Sequence, residues 1–342
     1  MKKNITLKDI AAELNVSTTT VSKALKDYAD ISQDTKNKVK KLVDEWGYFP
    51  NSMAVNLRNK RTGIIGVIIP EIVHHFFSTV ISGIMEEAEK SGFMVMIFQS
   101  NEKVKTEIKQ CGLFKQYHID GLLISLSNET EDISHLKDLQ DCGIHIVQFD
   151  KISDLLKTSK VVIDDYEAAF EITEHLIKSK PKKIIHIAGP ILPRNAKERL
   201  KGYRDALLKH AYKFDTDRVY RTVNSTEEEG YIFAKKTLKE HPDVDAIFCV
   251  TDMLAIGTIR ALKEAGKKVP EDVCVAGFSN WFLSSVVTPT ITTIDQPGEF
   301  MGKEATKLLI EEIKRNDENG PKKKIMIPTE LVIRESTKNS QS

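Results

Sequence analysis

The sequence predicts an N-terminal all-α helical bundle followed by an α/β core of two doubly wound parallel-sheet subdomains. Two patterns carry this. Residues 1–61 hold short helical stretches and no strand pattern, whereas from residue 63 apolar runs of strand length alternate with amphipathic helical stretches. Charge segregates in the same way. Of 50 Lys+Arg and 49 Asp+Glu, the first 61 residues hold 12 and 7, leaving 38 and 42 for the rest. A basic head on a mildly acidic body suits a nucleic-acid module, although a charge excess alone is also what a solvated surface shows.

A chain of 342 residues is too long for one ordinary core. Its 41% hydrophobic and 29% charged residues suit a soluble globular protein, and no apolar run is long enough to span a bilayer, so no membrane partner is expected. "MKKNITLKDI" turns polar where a signal peptide needs an apolar stretch, which makes a cytoplasmic location the expectation. Cys111, Cys142, Cys249 and Cys274 are scattered without ligand spacing, so neither a metal site nor a disulfide framework is expected. The chain also lacks glycine-rich phosphate loops, a nucleophile elbow and an H-E-x-x-H motif. Neither catalysis nor a cofactor has an anchor here.

In the N-terminal part, "TLKDIAAEL" opens on Thr6 with Asp9 three residues later, a variant capping box, and Ile10, Ala11 and Leu14 form its apolar face. Asn15 suits the left-handed turn between two helices, and Val16 fills the corner. Ser17 caps the next helix, and a third runs from about 32 to 46, ended by Gly47, with Val39, Leu42, Val43 and Trp46 facing the first two. This is a helix-turn-helix. Its second helix enters the major groove by its N-terminal residues, which explains the run of short hydroxyls in "NVSTTTVSKAL". The candidate DNA-binding residues are Ser17, Thr18, Thr19, Thr20, Ser22 and Lys23: Thr18 and Thr19 for base edges, Lys23 for a guanine edge or a phosphate, Ser22 for the backbone.

The core reads as alternating units from "GIIGVIIP" to "HIVQFD" and again from "VVIDD" to "VCVAGFS", enough for two parallel sheets. Ligands of such sheets sit beyond the carboxyl ends of the strands. Polar residues collect there: Asp150, Asp164, Asp165, Thr251, Asp252, Ser279 and Asn280. Helix capping is the competing role for Asp164, Asp165 and Asp252.

The N-terminal stretch through "AVNLRNKRTGIIGVIIP", together with "GPILPRNAKERLKGYRDAL", "AIFCVTDMLAIG", "VCVAGFSNWFLSSVVTPTITTIDQP" and "IPTELVIRES", resembles the lactose/galactose repressor family of bacterial transcription regulators over nearly the whole chain. The resemblance implies a periplasmic-binding-protein-like core that binds an effector, and a homodimer on pseudo-palindromic double-stranded operator DNA. It implies a helix-turn-helix domain at 1–49, a hinge helix and linker at 50–61, and a core at 62–338. One core subdomain would hold 62–162 and 295–322, the other 163–291 and 325–338. In "PNSMAVNL" it makes Leu57 a minor-groove wedge, with Arg58 beside it for phosphates; without it, Met53, Val55 and Leu57 read as a linker helix packed on the core. For the effector it points to Phe76, Phe77, Asp150, Arg199, Thr251 and Ser279. Aromatic faces, a carboxylate and an Arg fork suit a carbohydrate, although one or both phenylalanines also fit an ordinary core role. Where members commonly carry G-Y/F-D, this chain reads "GFSN", so Ser279 replaces a carboxylate and is followed by Asn280 and Trp281, the latter a possible stacking face. The expected function is a ligand-controlled repressor of carbohydrate use. A regulator of a nucleobase-like ligand and a transport-type solute receptor stand as alternatives.

Overall fold

The computed structural model describes residues 5–48, 61–73, 75–315 and 320–337. Two compact units divide the chain, Met1–Thr62 and Gly63–Ser342. No helix among the described residues is long and apolar enough to cross a membrane.

The first unit has three helices, α1 (Leu7–Glu13), α2 (Thr18–Leu25) and α3 (Gln33–Trp46). Thr6 and Asp9 cap α1 reciprocally: Thr6 Oγ1 accepts from Asp9 N at 3.3 Å and Thr6 N donates to Asp9 Oδ2 at 2.8 Å. Asn15 takes the left-handed turn at φ 53°, and Gly47 ends α3 at φ 60°. Ile10, Ala11, Val21, Ala24, Val39 and Tyr48 are buried together, so the inner face of α2 is fixed and its opening turn is left outside.

The second unit carries a six-stranded parallel sheet in the order β11-β5-β4-β3-β1-β2. Its strands are β1 (Ile64–Ile69), β2 (Met94–Gln99), β3 (Gly121–Ile124), β4 (His145–Phe149), β5 (Ser159–Ile163) and β11 (Lys324–Ile327). A four-stranded parallel sheet runs β7-β6-β8-β9, from β6 (Ile184–Ala188), β7 (Val219–Arg221), β8 (Ala246–Cys249) and β9 (Cys274–Ala276). An antiparallel pair joins β10 (Thr293–Asp295) to β12 (Glu330–Val332). Helices α4 (His75–Lys90), α5 (Val104–Gln116), α6 (Ser134–Asp141) and α11 (Gly298–Arg315) flank the larger sheet. The smaller sheet has α7 (Asp165–Lys178), α8 (Arg194–Lys209), α9 (Glu227–Glu240) and α10 (Asp252–Glu264).

One boundary differs from the expected one. Residues 325–327 were placed in the second subdomain, yet β11 pairs in parallel with β5 at the edge of the first sheet. A buried carboxylate fixes it there: Glu312 on α11 accepts from Ser159 and binds Lys322 Nζ at 2.9 Å, while Ser159 Oγ accepts from Lys323 N at 2.9 Å. The apolar run "IMI" has no feature that selects one sheet edge over the other.

The segments that pass between the sheets are tied by buried polar groups. Asp252 accepts from Thr293 Oγ1 at 2.7 Å and from Trp281 N at 2.6 Å. Arg334 reaches Ile291 O and Ser284 Oγ, each at 2.9 Å, and Asn280 Oδ1 at 2.7 Å, while Asn280 Nδ2 donates to Asp295 at 2.8 Å. Burial pushes the Asp252 carboxyl up to about 7 against the pull of its donors.

Two predictions come from this packing. A Cβ on Gly83 of α4 would sit 2.0 Å from the Glu299 carbonyl oxygen of α11, so Gly83→Ala forces the two helices apart. It should lower core stability by about 1–3 kcal/mol in urea unfolding, and an unchanged midpoint would refute the close contact. For Asp252, a folded pKa near 7 against an ordinary 3.8 means that the native state holds the extra proton between those values. This group's stabilisation is complete at the acid end of the window and is lost as pH rises through 7. Asp252→Asn should flatten that slope in urea midpoints compared at pH 5 and 8; a slope equal to wild type would exclude Asp252 as its source.

Candidate DNA-reading surface and effector cleft

On the helical unit, Ser17 Oγ accepts from Thr20 N at 3.0 Å and shares a hydrogen bond with Thr20 Oγ1 at 2.9 Å, so these two hydroxyls serve the cap. Thr18 and Thr19 are exposed and make no side-chain hydrogen bond among the described residues. Ser22 is half-buried, and Lys23 Nζ forms an ion pair with Asp30. Thr19 and Lys23, four residues apart, share one face of α2, and Thr18 stands beside Thr19 in the exposed opening turn. Leu57 and Arg58 lie outside the described residues.

In the core, Asp150 follows β4 in a left-handed conformation at φ 55°. Its oxygens accept from Ser125 Oγ at 3.2 Å and Asn195 Nδ2 at 3.3 Å. Burial pushes its carboxyl above the usual range, against the pull of Lys151 and Arg199. Arg199, on α8, is itself buried. Its Nε donates to Asp165 Oδ1 at 2.8 Å, its Nη1 to Val250 O at 3.0 Å, and its guanidinium carbon stands 3.6 Å over the Phe278 ring. Half of the expected ligand-gripping fork is thus spent on the protein, and the Nη2 donors make no hydrogen bond among the described residues. Burial pushes the Asp165 carboxyl up to about 6 against the pull of Arg199.

The other sequence-derived positions divide by what they touch. Thr251 caps α10, accepting from Leu254 N at 3.4 Å, and Asp164 caps α7, accepting from Glu167 N at 3.0 Å. Asp252 and Asn280 are held in the crossing network described above. Ser279, at φ 102°, donates to Gln296 Oε1 at 2.6 Å. Phe77 packs in the core, whereas Phe76 is half-buried and meets it edge to face at 5.2 Å. Trp281 is half-buried and packs edge to face on Phe282 at 5.8 Å.

Among the described residues, two of the chambers at the strand ends are lined by both Thr251 and Ser279. One, of about 100 Å³, is lined by Glu102, Asn128, Asp150, Lys151, Asn195, Arg199 and Ser225 among others. The second, of about 300 Å³, is lined by Val73, His75, Phe76, Met253, Phe278 and Trp281 among others, and Phe76, Thr251 and Ser279 border both. Seven polar members of the first chamber, Glu102, Asn128, Lys151, Asn195, Asn224, Ser225 and Gln296, were not found from the sequence. Lys151 Nζ pairs with Glu102 and donates to Asn128 Oδ1 at 2.7 Å, and Asn128 Nδ2 reaches Val223 O at 3.3 Å. Gln296 is buried, and its Nε2 has no partner among the described residues. Only its position just past a strand end, in "TIDQP", hinted at it.

Comparison with known proteins places this geometry. Residues 62–335 match the family described as periplasmic binding proteins and sugar binding domain of LacI family, and residues 6–51 match the bacterial regulatory proteins, lacI family. The HTH-type transcriptional regulator DegA of Bacillus subtilis is 32% identical over 97% of this chain and 98% of its own. The HTH-type transcriptional repressor CytR of Escherichia coli is 33% identical over 97% and 96%. Among solved structures, a CelR–cellobiose complex has a TM-score of 0.74 at 27% identity, covering 97% of this chain and 99% of that one. The lac repressor dimer bound to operator and the anti-inducer ONPF has a TM-score of 0.86 at 24% identity over 98% and 99%, a likeness of fold. The chain belongs to the LacI family of bacterial regulatory proteins: it is a DNA-binding transcriptional regulator with a periplasmic-binding-protein-like core, and not an enzyme.

Proposed function

We propose that this regulator is a repressor that binds a pseudo-palindromic operator as a homodimer, its operator affinity set by a sugar or sugar derivative held in the core cleft. The single observation that carries the effector reading is Asp150, a carboxylate on the cleft wall held by two long hydrogen bonds at 3.2 and 3.3 Å. Ligand hydroxyls donate to such a carboxylate and accept from Asn128, Asn195 and the Nη2 edge of Arg199. Phe76 and Trp281 give the second chamber an aromatic wall for a ring face or an apolar substituent. Asp252 and Asn280 act as positioning residues of the crossing strands, and Thr251 and Ser279 shape the wall. The core works as two subdomains, 62–162 with 295–327 and 163–291 with the chain from 328. The similarity to a cellobiose-bound regulator supports the sugar class, and the relation to a named repressor supports repression.

On the DNA side, Thr18, Thr19 and Lys23 read base edges in this proposal, Arg58 contacts phosphates, and Leu57 wedges the minor groove as the family resemblance implies. Thr19→Ala should change the preferred base at one operator position by about 1–3 kcal/mol. Arg58→Ala should weaken every sequence alike. Base preference in a selection from randomised duplexes checks this, and a Thr19→Ala profile identical to wild type would remove Thr19 from the reading surface.

The effector reading is tested by thermal shift against a panel of aldoses, β-glycosides and nucleosides. At least one sugar should raise the melting temperature and change operator affinity. Asp150→Asn should cost that sugar about tenfold or more in affinity while operator binding without sugar stays close to wild type. A panel in which only nucleosides bind, or an Asp150→Asn variant with wild-type sugar affinity, would overturn it.

A further inference from the structure

Lys23 is the only cation that the described part of α2 carries, and it does not stand free: its ammonium is paired with Asp30, in the loop leading to α3. The loop is fixed at both ends. Asp27 turns it at φ 58°, Tyr28 N donates to Lys23 O at 3.1 Å, and Ile31 N donates to Tyr28 O at 3.3 Å just ahead of Ser32, the cap of α3. The buried Lys36 of α3 pins it from below, with Nζ 3.0 Å from Asp27 Oδ1 and 3.3 Å from Asp27 O. The neighbouring acid, Asp27, is therefore already committed to Lys36, and Asp30 is the acid left to face α2. The Lys23 ammonium keeps the Asp30 carboxyl below the usual carboxylate range.

The two side chains are 40% and 54% exposed, and an ion pair open to water adds little to stability. It also costs DNA affinity, because a carboxylate beside the reading helix repels phosphates. We infer that Asp30 is a specificity-determining residue: it occupies Lys23 in place of a DNA phosphate, so that Lys23 bonds the duplex only where a base edge presents a matching acceptor. The inference rests on the reading of α2 as the DNA-reading helix. On an unrelated duplex Lys23 stays with Asp30 and releases no counterion. On the operator, one ammonium proton bonds a base edge while Asp30 holds another, which sets the direction of the side chain.

The test uses the full chain and two duplexes of equal length: the best binder selected from a randomised library by the wild type, and an unrelated sequence. Affinity is measured over a range of salt for wild type, Asp30→Asn, Lys23→Gln and the double variant. Asp30→Asn should bind the unrelated duplex about threefold to tenfold more tightly, with a salt slope steeper by about 0.9, the value for one added phosphate contact. Its gain on the selected duplex should be smaller, and in the Lys23→Gln background the gain from Asp30→Asn, now only the relief of repulsion, should be less than about threefold and equal on both duplexes. Equal gains on both duplexes, or the same gain in the Lys23→Gln background, would reduce Asp30 to a plain repulsive charge and overturn the inference. If instead Lys23→Gln binds both duplexes as wild type does, Lys23 does not face DNA, and the inference falls together with the reading beneath it.

Discussion

A charged carboxylate taken out of water must be compensated, and around Asp150 the compensation is incomplete. Two hydrogen bonds beyond 3.1 Å meet its oxygens, while the nearby Lys151 and Arg199 are engaged elsewhere, Lys151 by Glu102 and Arg199 by Asp165 and Val250 O. The backbone at Asp150 is left-handed, and so is that of Asn101 and Glu102 across the chamber. The strand ends thus present polar groups whose bonds are long or missing, among them Gln296 Nε2. In the effector reading proposed above, ligand hydroxyls meet these groups, which gives such a ligand a reason to favour one arrangement of the cleft over another.

Such a preference has consequences at a distance only if the cleft walls are rigid and their connections few. The helix pairs that build them meet at glycine contacts, Gly83 with Glu299 and Gly257 with Glu227, where a single added methyl has no room. The connections are tied by one polar network, from Asp252 through Thr293 and from Asn280 to Asp295 and Arg334.

Much of this was legible in the sequence where the deciding interaction is local. The Thr6–Asp9 box, the left-handed Asn15, the Ser17 cap and the Gly47 stop span a few residues each, and the alternation of strand and helix runs dictates two parallel sheets. What escaped depends on long-range partners. Strand β11 joined the first sheet because Ser159 and Glu312 hold it, and neither is near it in sequence. In the sequence Arg199 reads as a free fork, whereas Asp165, Val250 and Phe278 reach it from three distant segments. Gln296, Glu102 and Lys151 carry no motif; they reach the cleft wall because loops from both sheets converge there.

Thermodynamic linkage makes the proposed coupling between cleft and operator directly measurable. Take the sugar that most raises the melting temperature and titrate it, by calorimetry, into the free protein and into the protein saturated with the selected operator. The account predicts two different dissociation constants whose ratio equals the factor by which that sugar changes operator affinity. Equal constants in the free and operator-bound protein would contradict it, since a ligand with the same affinity for both states shifts neither.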